Sequence, residues 1–148
     1  MDTRLVIQNV SKTKAIPSKQ QFRAWVEMAL ASRRKKHEII IRIVGVKEIT
    51  KLNQCYRKKN KPTNIISFNF CPPANIKTNL LGDLVICASI VKLEAKLQHK
   101  TILSHWAHLT VHGVLHLLGY DHKNAKEAQK MEGLEIKILK RLGVADPY

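Results

Sequence analysis

The sequence predicts an α+β fold: a small mixed four-stranded sheet packed with about five helices, in one domain over residues 1–148. Three observations predict it. Periodic segments follow one another as β-α-β-α-β-β-α-α-α, an order that suits a small sheet with helices on it and not a doubly wound dinucleotide fold. No glycine-rich phosphate loop is present. The chain has 148 residues, 45% of them hydrophobic, enough for one real core and cramped for two.

Each element has a local cause. Leu5 to Asn9 reads as a first strand at a sheet edge. Pro17-Ser18 opens a helix, Ser18 and Gln21 have capping-box spacing, and Phe22, Trp25, Val26 and Ala29 form the apolar stripe. Arg33-Arg34-Lys35-Lys36-His37 closes that helix with positive charge, favourable at a C-terminus. Glu38 to Val44 is an isoleucine-rich strand in which Arg42 argues against full burial. Helical spacing returns from Lys47 to Lys58 through Ile49, Leu52 and Tyr56, and Pro62 stops it. Thr63 to Phe70 alternates, with Ile66, Phe68 and Phe70 on a buried face. A loop around Pro72-Pro73 leads to a strand from Leu80 to Cys87, where Gly82 hints at a bulge or a close backbone approach. Asp83 in that strand either supports a site with its carboxylate or lies at a turn. Ser89 to Leu97 is a short helix with Ile90, Leu93 and Leu97 inward. Thr101 caps a long helix running to Leu118, anchored by Trp106, Leu109, Leu115 and Leu118. Asn124 with Glu127 starts the last helix, whose stripe passes through Ala128, Met131, Leu134 or Glu135, Ile138 and Leu142 before Gly143 ends it.

Composition narrows the function classes. No apolar run is long enough to span a bilayer, and the first residues do not form a signal peptide, so the expected location is the cytoplasm and no membrane partner is expected. Cys55, Cys71 and Cys87 contain no Cys-x-x-Cys pair. They read as buried thiols in a reducing compartment, with extra metal ligation as the alternative. The net charge is +15, from 26 basic and 11 acidic residues. That field attracts polyanions, nucleic acid foremost; a lysine-rich composition with no partner is the other reading. Aromatic residues are too few for many stacked bases.

The chemistry concentrates between His112 and His122. His112 and His116 sit one helical turn apart, so their rings share a face. Gly119 can end the helix in a left-handed conformation and let His122 return from outside it. Three converging imidazoles are how a metal site with a free position is built. Zn²⁺ suits them best, with another divalent transition metal as the alternative. The spacing is that of His-Glu-x-x-His-x-x-Gly-x-x-His zinc proteases, except that Gly113 replaces the glutamate. Peptide hydrolysis would then lack its general base. A bound Zn²⁺ lowers the pKa of its water to about 7, so metal-bound hydroxide is the expected nucleophile. Beside a basic surface, that points to phosphodiester hydrolysis. Such chemistry wants a cation next to the nonbridging oxygens, and Arg57, closing a helix ahead of Lys58, Lys59 and Lys61, is the candidate. The bland reading makes Arg57 one more charge in a solvated run. Asp121 either orients an imidazole or accepts a proton, or it simply forms the turn after Tyr120. His105 falls on nearly the same stripe as His112, either supporting a ligand or buried and satisfied. His108 is a possible fourth ligand.

Several segments together resemble the YbeY-type endoribonucleases, also described as ribosomal RNA maturation factors. The resemblance rests on His105-Trp106-Ala107-His108-Leu109, Val111-His112-Gly113 and Leu115 to His122. It extends through Tyr56-Arg57 with Lys59, Pro62-Thr63-Asn64, Ser67-Phe68, Leu81 to Ile86, Met131-Glu132, Leu142-Gly143 and Asp146-Pro147-Tyr148. It implies that His112, His116 and His122 ligate a metal, usually assigned to zinc, and that Arg57 is the arginine of the active cleft. It also implies a single-strand-specific endoribonuclease that matures the 3′ end of small-subunit (16S) ribosomal RNA and serves ribosome quality control, with that RNA and the small subunit as partners. Asn64 stands where many members have Asp, and Asn69 where many have Pro. The competing readings are a ribosome-associated RNA-binding factor with a structural metal, and a metal hydrolase of another substrate.

Overall fold

The computed structural model describes residues 3–30 and 36–148. The basic run Arg33-Arg34-Lys35 therefore lies outside the described residues. In chain order the elements are β1 (Arg4–Asn9), α1 (Lys19–Ala29), β2 (Glu38–Val44), α2 (Val46–Arg57), β3 (Ile65–Asn69), β4 (Leu80–Cys87), α3 (Ala88–Leu97), α4 (Ile102–Leu117) and α5 (Ala125–Arg141). The sheet order is β1-β2-β4-β3, with β1, β2 and β4 parallel and β3 antiparallel to β4. This is the mixed α+β arrangement that the element order implies, with β1 at an edge.

Local signals start the helices where expected. Ser18 and Gln21 form both bonds of a capping box, while Thr101 and Asn124 accept from the backbones of Ser104 and Glu127. α4 closes in a Schellman motif: Gly119 N–H donates to His116 O and Tyr120 N–H to Leu115 O, with Gly119 at φ +102°.

The two faces of the sheet bury different things. Ile39, Ile41, Ile43, Leu84 and Ile86 pack with α1 and α4, including Phe22, Val26 and Trp106. Val44, Ile66, Val85 and Cys87 pack with Ile49 of α2 on the other face. Arg42 lies on the α2 side of β2 and holds Glu48 through two hydrogen bonds of 2.9 and 3.2 Å. β4 shifts register against β2 between Leu80 and Gly82, which is a bulge. A Cβ on Gly82 would also stand 2.2 Å from Phe68 O, so both readings of that glycine hold.

Three expectations need correction. β3 buries both Ile65 and Ile66, one toward each layer, while Phe70 is exposed. A strand between two layers has no single apolar face. α3 turns Ala88, Val91 and Ala95 inward and leaves Leu93 and Leu97 outside. Small residues let this helix lie close, and they outweigh the larger leucines. Of the cysteines, only Cys87 is buried; Cys55 and Cys71 are exposed. Among the described residues, no helix is long and apolar enough to cross a membrane.

Candidate metal centre and cleft

α4 is buried along most of its circumference, and its polar exceptions build the site. His112 and His116 leave it side by side, with Nε2 atoms 3.0 Å apart. The glycine-ended turn returns His122 to within 5.0 Å of His116 and 5.7 Å of His112, measured between ring centres. One nitrogen from each ring lies within 4.8 Å of those of the other two. Bonds of about 2.0 Å to one tetrahedral zinc would separate two ligands by roughly 3.3 Å, so the donor set and its spacing fit such an ion. Burial, together with the adjacent His112 and His122, holds the His116 imidazole below its ordinary pKa. His116 therefore presents the neutral form that a metal takes.

The three rings line a cleft of about 700 Å³, whose opposite wall is β3 and the end of α2. Arg57 and Tyr56 stand at that wall. Tyr56 packs edge-on against Phe68 at 5.0 Å, which anchors the end of α2 to β3. Asn53 is buried and donates to Lys61 O at 2.8 Å, folding the basic run back beside Arg57. Arg57 is exposed and has no hydrogen-bond or ion-pair partner among the described residues. The fold thus brings Arg57 into the same cleft as the three histidines.

Gly113 has a steric explanation. It faces the sheet, where a Cβ would meet Ile65 Cδ1 and Leu84 Cδ2 at 2.8 Å each. The position that carries a glutamate in zinc proteases is here packed into the core and has no room for one.

The remaining candidates separate cleanly. Asp83 lies on the face of β4 away from α4, since Gly82 and Leu84 face that helix; it does not support the histidines. Burial raises its carboxyl pKa. Asp121 lines the cleft, but its Oδ1 accepts from the His122 backbone at 2.8 Å, and that bond lowers its pKa. It shapes the turn that delivers His122. His105 is buried and bonds Glu94, not a cluster histidine, at 2.9 Å. Asn64 donates to the same Glu94 oxygen at 3.0 Å. Asn69 donates to Leu117 O at 2.9 Å, tying β3 to the end of α4.

His108 is not one of the three clustered histidines, although its ring lies edge-on to His112 with centres 6.2 Å apart. Its Nε2 donates to Glu135 Oε2 at 3.0 Å. Glu135, fully buried on α5, also takes hydrogen bonds from His112 Nδ1 and the Tyr148 hydroxyl. Burial alone would push its pKa up; the bonds from His108, His112 and Tyr148 overcome that and bring it down to about 2. Glu135 was legible only as one option in the apolar stripe of α5. A carboxylate at a core position of a helix facing a histidine-bearing helix was the available signal, because a buried charge needs partners.

The solution structure of TM1509 from Thermotoga maritima matches the chain with a TM-score of 0.59 at 21% identity, covering 93% of this chain and 92% of that one, and shows the same fold. A family model described as endoribonuclease YbeY matches residues 6–143, from the first strand through the end of the last helix. With the match running across every element of the fold, the chain belongs to the endoribonuclease YbeY family.

Proposed function

We propose that this endoribonuclease is metal-dependent, cuts single-stranded RNA, and acts in maturation of the 3′ end of small-subunit ribosomal RNA and in ribosome quality control. The supporting observation is the opening of three clustered imidazoles onto a cleft that also holds Arg57. His112, His116 and His122 would hold one ion, most suitably Zn²⁺. Such an ion, when bound, supplies Lewis acidity and lowers the pKa of water.

The chain's own residues do the rest. The Arg57 guanidinium is free to take two nonbridging phosphate oxygens in its planar fork and to stabilise charge that grows on them in the transition state. Lys58, Lys59 and Lys61 flank it and can follow the strand backbone. A single strand would lie in the cleft with its phosphates drawn between Arg57 and the histidines. No carboxylate occupies position 113, so proton transfer to a glutamate there has no part in the reaction. The net charge of +15 supports a polyanionic substrate.

The test is cleavage of single-stranded and duplex RNA by metal-replete protein. Single strands should be cut faster. His116→Ala should abolish cleavage, and Arg57→Ala should reduce turnover more than binding, by roughly a hundredfold if one transition-state donor is lost. Equal background cleavage by all three proteins would overturn the enzyme mechanism. Intact RNA binding by His116→Ala with no cleavage by the parent protein would favour a binding factor with a structural metal.

A further inference from the structure

We propose that Glu135 is the positioning residue of the histidine centre, setting the tautomer and orientation of His112 from α5, with Tyr148 and His108 locking the carboxylate. The inference rests on the metal-binding reading of His112, His116 and His122.

The geometry carries it. Glu135 has no exposed side-chain surface, although it sits on the outermost helix of the chain order. Its two oxygens are divided. Oε1 accepts from His112 Nδ1, and Oε2 accepts from His108 Nε2 and from the Tyr148 hydroxyl. An ionised carboxylate can only accept, so the imidazole proton of His112 must sit on Nδ1. Nε2 then keeps its lone pair, and it is Nε2 that faces His116 at 3.0 Å. The contact fixes both which nitrogen is available and where the ring points. A carboxylate behind a ligand histidine also makes the imidazole a better donor.

Burial of a carboxylate is unfavourable unless several donors compensate. Here the compensating donors come from α4 and from the segment after α5. Two of them, His108 and Tyr148, stand outside the group of three histidines. Their shared oxygen holds the carboxylate so that the other oxygen can meet His112. The ring centres of His108 and Tyr148 lie 5.4 Å apart, edge to face, which further restrains the phenol. The segment after α5 is thereby coupled to a residue of the cleft that it does not line.

His108, His112 and Glu135 are also spaced closely enough to hold a second ion themselves. The two readings differ in the role of His112 Nδ1. It carries a proton in the first and is an ion ligand in the second.

The experiment uses the full chain, stripped with a chelator. Histidine ¹⁵N–¹H correlations at pH above the imidazole range report the tautomer of His112 without any substitution. Nδ1–H is expected; Nε2–H would overturn the proposal. Zn²⁺ affinity is then measured by chelator competition for the parent protein, Glu135→Gln and Glu94→Gln. Glu135→Gln should bind about 10- to 100-fold more weakly and lose the single His112 tautomer. Glu94→Gln, the same change at the carboxylate of a histidine outside the cluster, should leave affinity unchanged. Parent-like affinity and tautomer in Glu135→Gln would overturn the proposal while leaving the metal reading intact. Two ions per parent chain, with one lost in Glu135→Gln, would overturn it in favour of direct ligation. If the parent bound no ion, the metal reading would fail. The positioning role would fail with it, and an Nδ1–H tautomer would then show only a structural hydrogen bond. Should Glu135→Gln not fold, Tyr148→Phe removes one lock from Oε2 and should weaken affinity in the same direction; unchanged affinity there would count against the proposal.

Discussion

Two carboxylates reach the same face-crowded helix and do different work. Glu94, on α3, takes a hydrogen bond from His105 and another from Asn64 at the start of β3. Glu135, on α5, takes three, and one of them comes from a histidine of the cleft. Glu94 is 28% exposed and Glu135 not at all. The first pair ties three elements of the scaffold together. The second passes its constraint into the candidate metal centre. A histidine bonded to a carboxylate is therefore not in itself a functional mark; the difference lies in whether its other nitrogen faces the cleft.

Substitutions should separate the two clusters, beginning with the largest effect. Glu135→Ala leaves two imidazoles and a phenol without their acceptor and should cost about 3 kcal/mol in urea unfolding. Glu94→Ala removes one partly exposed acceptor and should cost about 1 kcal/mol. Equal losses would erase the distinction drawn between them.

Gly113→Ala probes the sheet-facing side of α4 and not the ligand side. The added methyl has to displace the ends of Ile65 and Leu84, and the helix propensity that alanine gains over glycine offsets part of that strain, so the expected net cost is about 1 kcal/mol. Stability equal to the parent in thermal unfolding would mean that α4 is less tightly seated on β3 and β4 than it is drawn here.

Asn64→Asp sharpens the Glu94 side. Asparagine donates to Glu94, whereas an aspartate would set two carboxylates against each other. The expected cost is about 1 kcal/mol at pH 8. Repulsion raises carboxyl pKa values in the folded state, so the deficit should shrink as pH falls, as read from unfolding curves across pH.

The smallest effect concerns His105. Burial lowers its pKa below 6.5, more than Glu94 raises it, so the folded state binds its proton less readily than the unfolded state does. The unfolded chain then holds more protons just below pH 6.5, and the contribution of His105 to stability declines as pH falls through that value. His105→Gln should flatten that part of the stability profile. An unchanged slope would remove His105 as its source.

Much of this was legible in the chain. The capping residues Ser18, Thr101 and Asn124 and the glycine at 119 act locally, so sequence alone located the starts of α1, α4 and α5 and the end of α4. The fourfold spacing of His112 and His116 put them on one face for the same reason. What remained hidden depends on partners far away in sequence. α3 offered leucines on one face and small residues on another, and only its close seating against the core selects the small ones. Asp83 could not be assigned until the alternation of β4 fixed which face meets α4. Glu135 lies 23 residues beyond His112, on a helix whose apolar stripe disguised it. The role of Gly113 was visible as a missing general base but not as a contact with Ile65 and Leu84, which comes from tertiary packing alone.

The most direct measurement is X-ray absorption at the metal edge of the Zn²⁺-loaded chain, paired with a count of ions per chain. One ion held by three imidazole nitrogens, with its remaining coordination supplied by oxygen from solvent, is the result this account predicts. A fourth imidazole from His108, a closed protein ligand shell, or no stoichiometric ion would contradict it.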